Sequence, residues 1–350
     1  LDDEELLYYQ AGLAEALMLF YLINELWSDA RGLAERLEKL WESLESVNWG
    51  EAADRLNKKE IKVDKDSLKE QTKELISLAL ARYYHEVFDI EKEKKCLDVA
   101  YDAIVKLEGG EEKAKESVSS NYFLALLAQN VINAVLGEDL GKALEGVVKH
   151  YEEAFKHSHR IGTDTLQIII REYLIASAYL GRLDEALKQV DDDSDLRYPF
   201  LSMDSRFLLG LHSLFHYLTG GKFLDKVKEY SNIVASKKSL SSVKLTVTGE
   251  PMCSKAISEI QRGLVGYLGL NDSEALDLIY ILLGTKPGII ALLSLGRHFS
   301  GLEVVKQLAI CLAEHYPRAL ANLLRRAYKA GNEEEFKDAL VRLAMYLLLF

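Results

Sequence analysis

The sequence predicts an all-α protein: a right-handed α-α superhelix of antiparallel helix pairs, with one short extended or β-like insertion near residues 240–250. Three observations predict it. Apolar residues recur at helical spacing over most of the chain. The gaps between those stretches are short and marked by Gly, Asn and Asp, and only 4 prolines in 350 residues are available to break a helix. The breaks also recur: Gly137, Gly181, Gly221, Gly269 and Gly331 are spaced by 44, 40, 48 and 62 residues. The first three intervals fit one helix pair each, and the longest leaves room for a further pair around Pro287-Gly288.

In chain order, residues 6–26 read as one long apolar helix, and Leu33, Leu37, Leu40, Trp41 and Leu44 as the apolar stripe of a second with a charged back face. A charged connector follows over 48–69, where Lys58, Lys59, Lys62, Lys65 and Lys69 stand among acids; a solvated loop or short helix explains it better than a polyanion contact. Helices are then expected over 75–88, 91–107 and 111–136. Breaks fall at 136–139, 217–221 and 267–272, each followed by a new apolar stretch. At the C-terminal end, Leu320, Leu323, Leu324, Ala327 and Tyr328 make one helix face. After Ala330-Gly331-Asn332, the series Phe336, Ala339, Leu340, Leu343, Ala344 and Leu347 makes another. Glu333, Glu334 and Glu335 stand where a helix N-terminus favours negative charge. So short a turn requires the two helices to run antiparallel. In total about fifteen helices are expected by this pattern.

Residues 237–251 break the helical rule. Val243, Leu245 and Val247 alternate with polar neighbours, the period-two signature of an exposed strand. A lone strand cannot satisfy its backbone, so the segment forms a structural loop or small hairpin, pairs by its edge with a partner or second copy, or acts as a disordered lid. The organisation expected is therefore an N-terminal helical region over 1–110, helical hairpins over 111–235, an extended loop or short β-hairpin over 236–252, and C-terminal helical hairpins over 253–350.

The segment Ala178-Tyr179-Leu180-Gly181-Arg182-Leu183-Asp184-Glu185-Ala186-Leu187 closes one helix at a glycine suited to the left-handed cap and begins the next at once. With Gly181 at the turn and the small Ala186 five residues on, it resembles the tetratricopeptide-repeat family. The other breaks depart from that pattern: Gly137 to Ala143 and Gly269 to Ala275 are one residue longer, and Gly331 is followed by Phe336 at the small position. The likeness is specific over one hairpin and architectural elsewhere. It implies a superhelical, non-catalytic scaffold or adaptor that binds a peptide or protein partner.

Charge and cysteine usage narrow the rest. With 43 basic and 55 acidic residues the net charge is -12, which offers no general footprint for nucleic acid. A nucleic-acid-associated subunit remains the alternative only through local clusters such as Lys92, Lys94 and Lys95, Arg325-Arg326, and Lys237-Lys238. Cys96, Cys253 and Cys311 are odd in number and far apart, which argues against a disulfide framework and for a reducing, cytoplasmic setting. No uncharged stretch is long enough to span a membrane, and the acidic start is unlike a targeting peptide. Few Cys and Met beside many ionic residues hint at a thermophilic source.

Common catalytic and nucleotide motifs are missing, and no cofactor is implied. His85-Glu86 begins like a zincin helix, but Asp89 stands at the fifth position. Gly263, Gly266 and Gly269 fit close helix packing better than a phosphate cradle. Asp191, Asp193 and Asp195 begin like a calcium loop, but Leu196 and Ser202 hold its Gly and Glu positions, so an acidic turn closed at Tyr198-Pro199 is expected. A metal-dependent helical enzyme is the remaining alternative. Its candidate ligands are His150, Glu153 and His157, at offsets 0, 3 and 7, and the i, i+4 pair His212 and His216. A solvated helix end and buried core histidines are the competing readings. The candidate partner-binding residues are Lys237, Lys238, Val243, Leu245 and Val247.

Overall fold

The structure is a computed structural model of the chain, and it describes residues 3–58, 62, 64–117, 120–236 and 251–350. Its described residues form nineteen α-helices, two 3-10 turns and no strand. The all-α class follows. The insertion near 240–250, with Lys237, Lys238, Val243, Leu245 and Val247, lies outside the described residues. The chain divides into two compact units, 1–132 and 133–350. The second unit takes in the C-terminal hairpins over 253–350 and residues 133–235 of the hairpins expected over 111–235, whose first residues, 111–132, fall in the first unit.

The first unit contains α1 (Asp3–Ile23), α2 (Trp27–Ser43), α3 (Trp49–Lys58), α4 (Lys65–Glu86), α5 (Ile90–Leu107), α6 (Glu111–Ser117) and most of α7 (Ser120–Leu136). Small residues set its packing. Ala11, Ala14 and Met18 of α1 meet Ala30, Ala34 and Leu37 of α2 and Ile76, Ala79, Leu80 and Tyr84 of α4 in one core, and alanines let the helix axes approach closely. The charged connector contains a formed helix, α3, which buries Ala52, Ala53 and Leu56 beside Leu68. Helix α4 begins ten residues before the apolar pattern does, because the Asp64 carboxylate accepts the backbone N–H groups of Asp66 and Ser67, both at 3.0 Å. Within the helix expected over 111–136, the described residues form α6 and α7, and residues 118 and 119 lie outside the described residues.

The second unit runs through α8 (Leu140–Phe155), α9 (Thr163–Tyr179), α10 (Leu183–Asp192), α11 (Ser194–Leu201), α12 (Ser205–Leu218), α13 (Leu224–Ser236), α14 (Pro251–Leu268), α15 (Asp272–Leu283), α16 (Lys286–Ser300), α17 (Leu302–His315), α18 (Arg318–Lys329) and α19 (Glu333–Leu347). The anticipated turns are present. Gly181, at φ 74°, joins α9 to α10 in the left-handed region. Gly331 needs no such conformation: its N–H donates to Glu335 Oε2 at 2.7 Å, and Asn332 caps the same residue. Asp193 caps α11, so the acidic run is an inter-helix turn, but the helix continues through Pro199 to Leu201 instead of stopping there.

Not all packing joins sequence neighbours. Helix α12 lies along α16, and a Cβ placed on Gly210 would sit 2.7 Å from the Pro287 carbonyl oxygen. Gly263 likewise lets α14 approach Phe299, as its spacing suggests, whereas Gly266 faces open space. The cysteine expectation is overturned. Packing of α14 on α17 brings Cys253 and Cys311, 58 positions apart, to a Cα separation of 5.8 Å and joins them in a buried disulfide. No linear spacing rule detects a pair made by two helices meeting in space. Cys96 is the remaining free thiol. Among the described residues, no helix is long and apolar enough to cross a membrane.

Candidate functional site

A cleft lies in the first unit, where α2, α4 and α5 meet. Each helix contributes residues from one face: Glu38, Trp41 and Glu42 from α2, Leu80 and Tyr84 from α4, and Lys92, Lys95 and Cys96 from α5. Offsets of three and four explain why these side chains converge. The α4–α5 hairpin is fastened at its tip. Phe88 adopts φ 58°, the Asp89 N–H donates to the Tyr84 carbonyl at 2.8 Å, and the buried His85 and Glu93 side chains meet at 2.9 Å. His85, the apparent zincin start, therefore serves helix pairing.

The cleft holds about 260 Å³, with apolar walls of Trp41, Leu80, the Tyr84 ring and Cys96. On one side the Tyr84 hydroxyl donates to Glu38, and Lys92 Nζ reaches Glu38 at 3.0 Å while lying 4.9 Å from the Tyr84 ring centre. The hydrogen bond from Tyr84, and then that from Lys92, hold the Glu38 carboxyl below its ordinary range. Burial, reinforced by Glu38, raises the Tyr84 phenol, and burial pushes the Cys96 thiol up to about 12. At neutral pH the site therefore presents a neutral thiol, a neutral phenol and a neutralised Lys92–Glu38 pair. Lys95 and Glu42 add opposite charges at the rim, neither paired with another described residue.

The histidine candidates do not assemble as the sequence spacing suggests. Helix α8 ends at Phe155 and His157 opens a 3-10 turn, so His150, Glu153 and His157 do not share a continuous helix; Glu153 pairs with Lys156 at 2.5 Å. His212 packs among Phe200, Phe215, Phe223 and Tyr230, and its Nδ1–H donates to the Leu208 carbonyl at 2.8 Å. Burial lowers its pKa to about 4. The His216 ring centre lies 4.2 Å from that of His298 on α16, and burial followed by this neighbour lowers its pKa to about 4 as well. Among the described residues, no three His, Cys, Asp or Glu side chains gather in a group able to hold a metal ion.

In the sequence, Trp41 belongs to the apolar stripe of one helix, Lys92 and Lys95 to a local basic cluster, and Cys96 stands far from the other cysteines. Each element shows the face spacing that could have flagged it, but three separate helices must be docked before one cleft emerges. The second unit holds a different polar feature. The fully buried Arg342 donates to the carbonyls of Ala134, Val135, Gly137 and Glu138 at 2.6–3.1 Å, and pairs with Asp338 at 2.7 Å. It caps the helix end at 136, a structural task. Comparison with protein-family models, curated proteins and solved structures returns no match.

Proposed function

We propose that the chain is a non-catalytic helical scaffold that binds a protein or peptide partner, with the cleft between α2, α4 and α5 receiving one large apolar side chain of that partner. The cleft carries this reading. At about 260 Å³ it is smaller than the roughly 300–1,000 Å³ of pockets that enclose cofactors and drug-sized ligands, and it matches a single anchoring residue. Aromatic walls supply the burial, and Lys95 and Glu42 engage backbone or charged groups on either side of the anchor. The Glu38 carboxyl is shifted down and the Tyr84 phenol and Cys96 thiol are shifted up, away from neutrality, which supports binding over acid–base chemistry by these three groups.

The supporting architecture is an irregular tetratricopeptide-like array, in which successive antiparallel pairs such as α9–α10, α14–α15 and α18–α19 repeat one theme. We place it in the cytoplasm of a thermophile, where intracellular disulfides such as Cys253–Cys311 persist. Panning a displayed random-peptide library against the protein, and following bound peptides by Trp41 fluorescence, tests the reading. Enriched peptides sharing one aromatic or large aliphatic anchor, and losing affinity on Cys96→Phe, which fills the cleft from its half-buried wall, with helical circular dichroism unchanged, are expected. No enrichment, or binding indifferent to Cys96→Phe, would remove the cleft as the partner site.

A further inference from the structure

Helix α1 is apolar on both faces but covered on one. Ala11, Ala14 and Met18 are buried in the core of the first unit. On the opposite face Leu13 is 59%, Phe20 55% and Ile23 76% exposed, Leu17 continues the row, and Trp27 at the start of α2 is 48% exposed. Gly12 and Ala16 lie between these ridges as hollows; a Cβ on Gly12 would meet nothing within 4 Å. The nearest acid on this part of the helix, Glu15, turns aside to Arg82 at 3.2 Å. A helix that is apolar all round belongs in an interior, so an uncovered half marks a contact.

We propose that this face is the interface of a two-fold dimer, in which α1 packs antiparallel on α1 of a second copy with Phe20 at the axis. Three features select a second copy. The face is self-complementary: with Phe20 opposite itself, Leu17 comes level with Ile23 of the second copy, while Gly12 and Ala16 give the ridges room to interdigitate. Two chains of net charge -12 repel over most of their surfaces, so an isologous contact must be uncharged, as this one is. The open apolar surface is also sufficient. Weighted by their exposures, the large side chains present roughly 600 Å² per copy, so full cover of both faces reaches about 1,200 Å², the lower bound for a specific interface. The surface is separate from the cleft and independent of the partner proposed there.

Sedimentation velocity of the full chain over about 1–100 μM, a range that brackets a modest dissociation constant, tests this. A dimer is expected, and Phe20→Glu, which sets two carboxylates against each other across the axis, should weaken it by about 100-fold or more. A Phe20→Cys variant in a Cys96→Ser background should oxidise to a covalent dimer, because a two-fold axis places that residue opposite itself; Leu13→Cys, about 10 Å along the helix from the axis, should not. This second arm decides the matter should Phe20→Glu fail to fold. A wild-type monomer throughout the range, or a dimer indifferent to Phe20→Glu with no Phe20→Cys cross-link, would overturn the proposal. So would a monomer that sediments with phosphatidylcholine–phosphatidylglycerol vesicles, which would assign the face to lipid.

Discussion

Reduction of the Cys253–Cys311 bond should destabilise the second unit by a predictable amount. The two cysteines are 58 positions apart and their bond ties α14 to α17, enclosing α15 and α16 in the loop. In the chain-entropy account, closing a loop of that length removes unfolded-state freedom equivalent to about 4 kcal/mol at 25 °C. For a unit of this size each kcal/mol moves the midpoint by roughly 2–4 °C, so reduction should lower Tm by about 8–16 °C. Scanning calorimetry with and without a phosphine reductant measures the shift, using protein unfolded and refolded under each condition because both sulfurs are buried. Alkylation in denaturant should first label Cys96 alone and, after reduction, all three cysteines. Three labelled cysteines before reduction would refute the bond, and an unchanged Tm after complete reduction would refute the loop argument.

Other expectations follow from buried polar groups and close backbone contacts. Arg342→Met should cost about 3–5 kcal/mol in urea unfolding, because four carbonyls lose their donor and Asp338 keeps only Arg326; a loss below about 1 kcal/mol would show that water replaces the guanidinium. Glu172 is fully buried and its carboxylate oxygens have no hydrogen-bond partner among the described residues, so burial raises its pKa well above 4.5 despite the charge of Arg171. The folded chain then holds this proton more tightly than the unfolded chain. Its contribution is complete below about pH 4.5 and is lost as pH rises toward the folded value. Glu172→Gln should therefore leave acid stability similar and raise stability at pH 7, and a lower midpoint at pH 7 would contradict the assignment. Gly288→Ala should cost about 3 kcal/mol or more, since its Cβ would lie 2.1 Å from the Leu282 carbonyl oxygen. Gly266→Ala, with nothing within 4 Å, should be neutral or slightly stabilising; equal effects of the two alanines would remove the packing argument.

Helix type and helix ends were legible because both are local. Apolar spacing placed the faces of α18 and α19, the Gly181 turn has the left-handed backbone its position demanded, and Asn332 with the glutamates after it opens a helix where expected. Local rules also misled. Helix α4 began early because Asp64 could cap it, and the His150 spacing lost its meaning once α8 ended at Phe155. Periodicity identifies which side of a helix is apolar but carries no information on which other helix covers it. The pairing of Cys253 with Cys311, of His216 with His298, and the meeting of Trp41, Tyr84 and Cys96 join positions dozens of residues apart. Such contacts depend on docking angles set jointly by small residues and side-chain ridges on several elements. From its order of residues alone this chain was bound to be helical and hinged at known turns; the cleft, the disulfide and the bare side of α1 came only from how those helices pack.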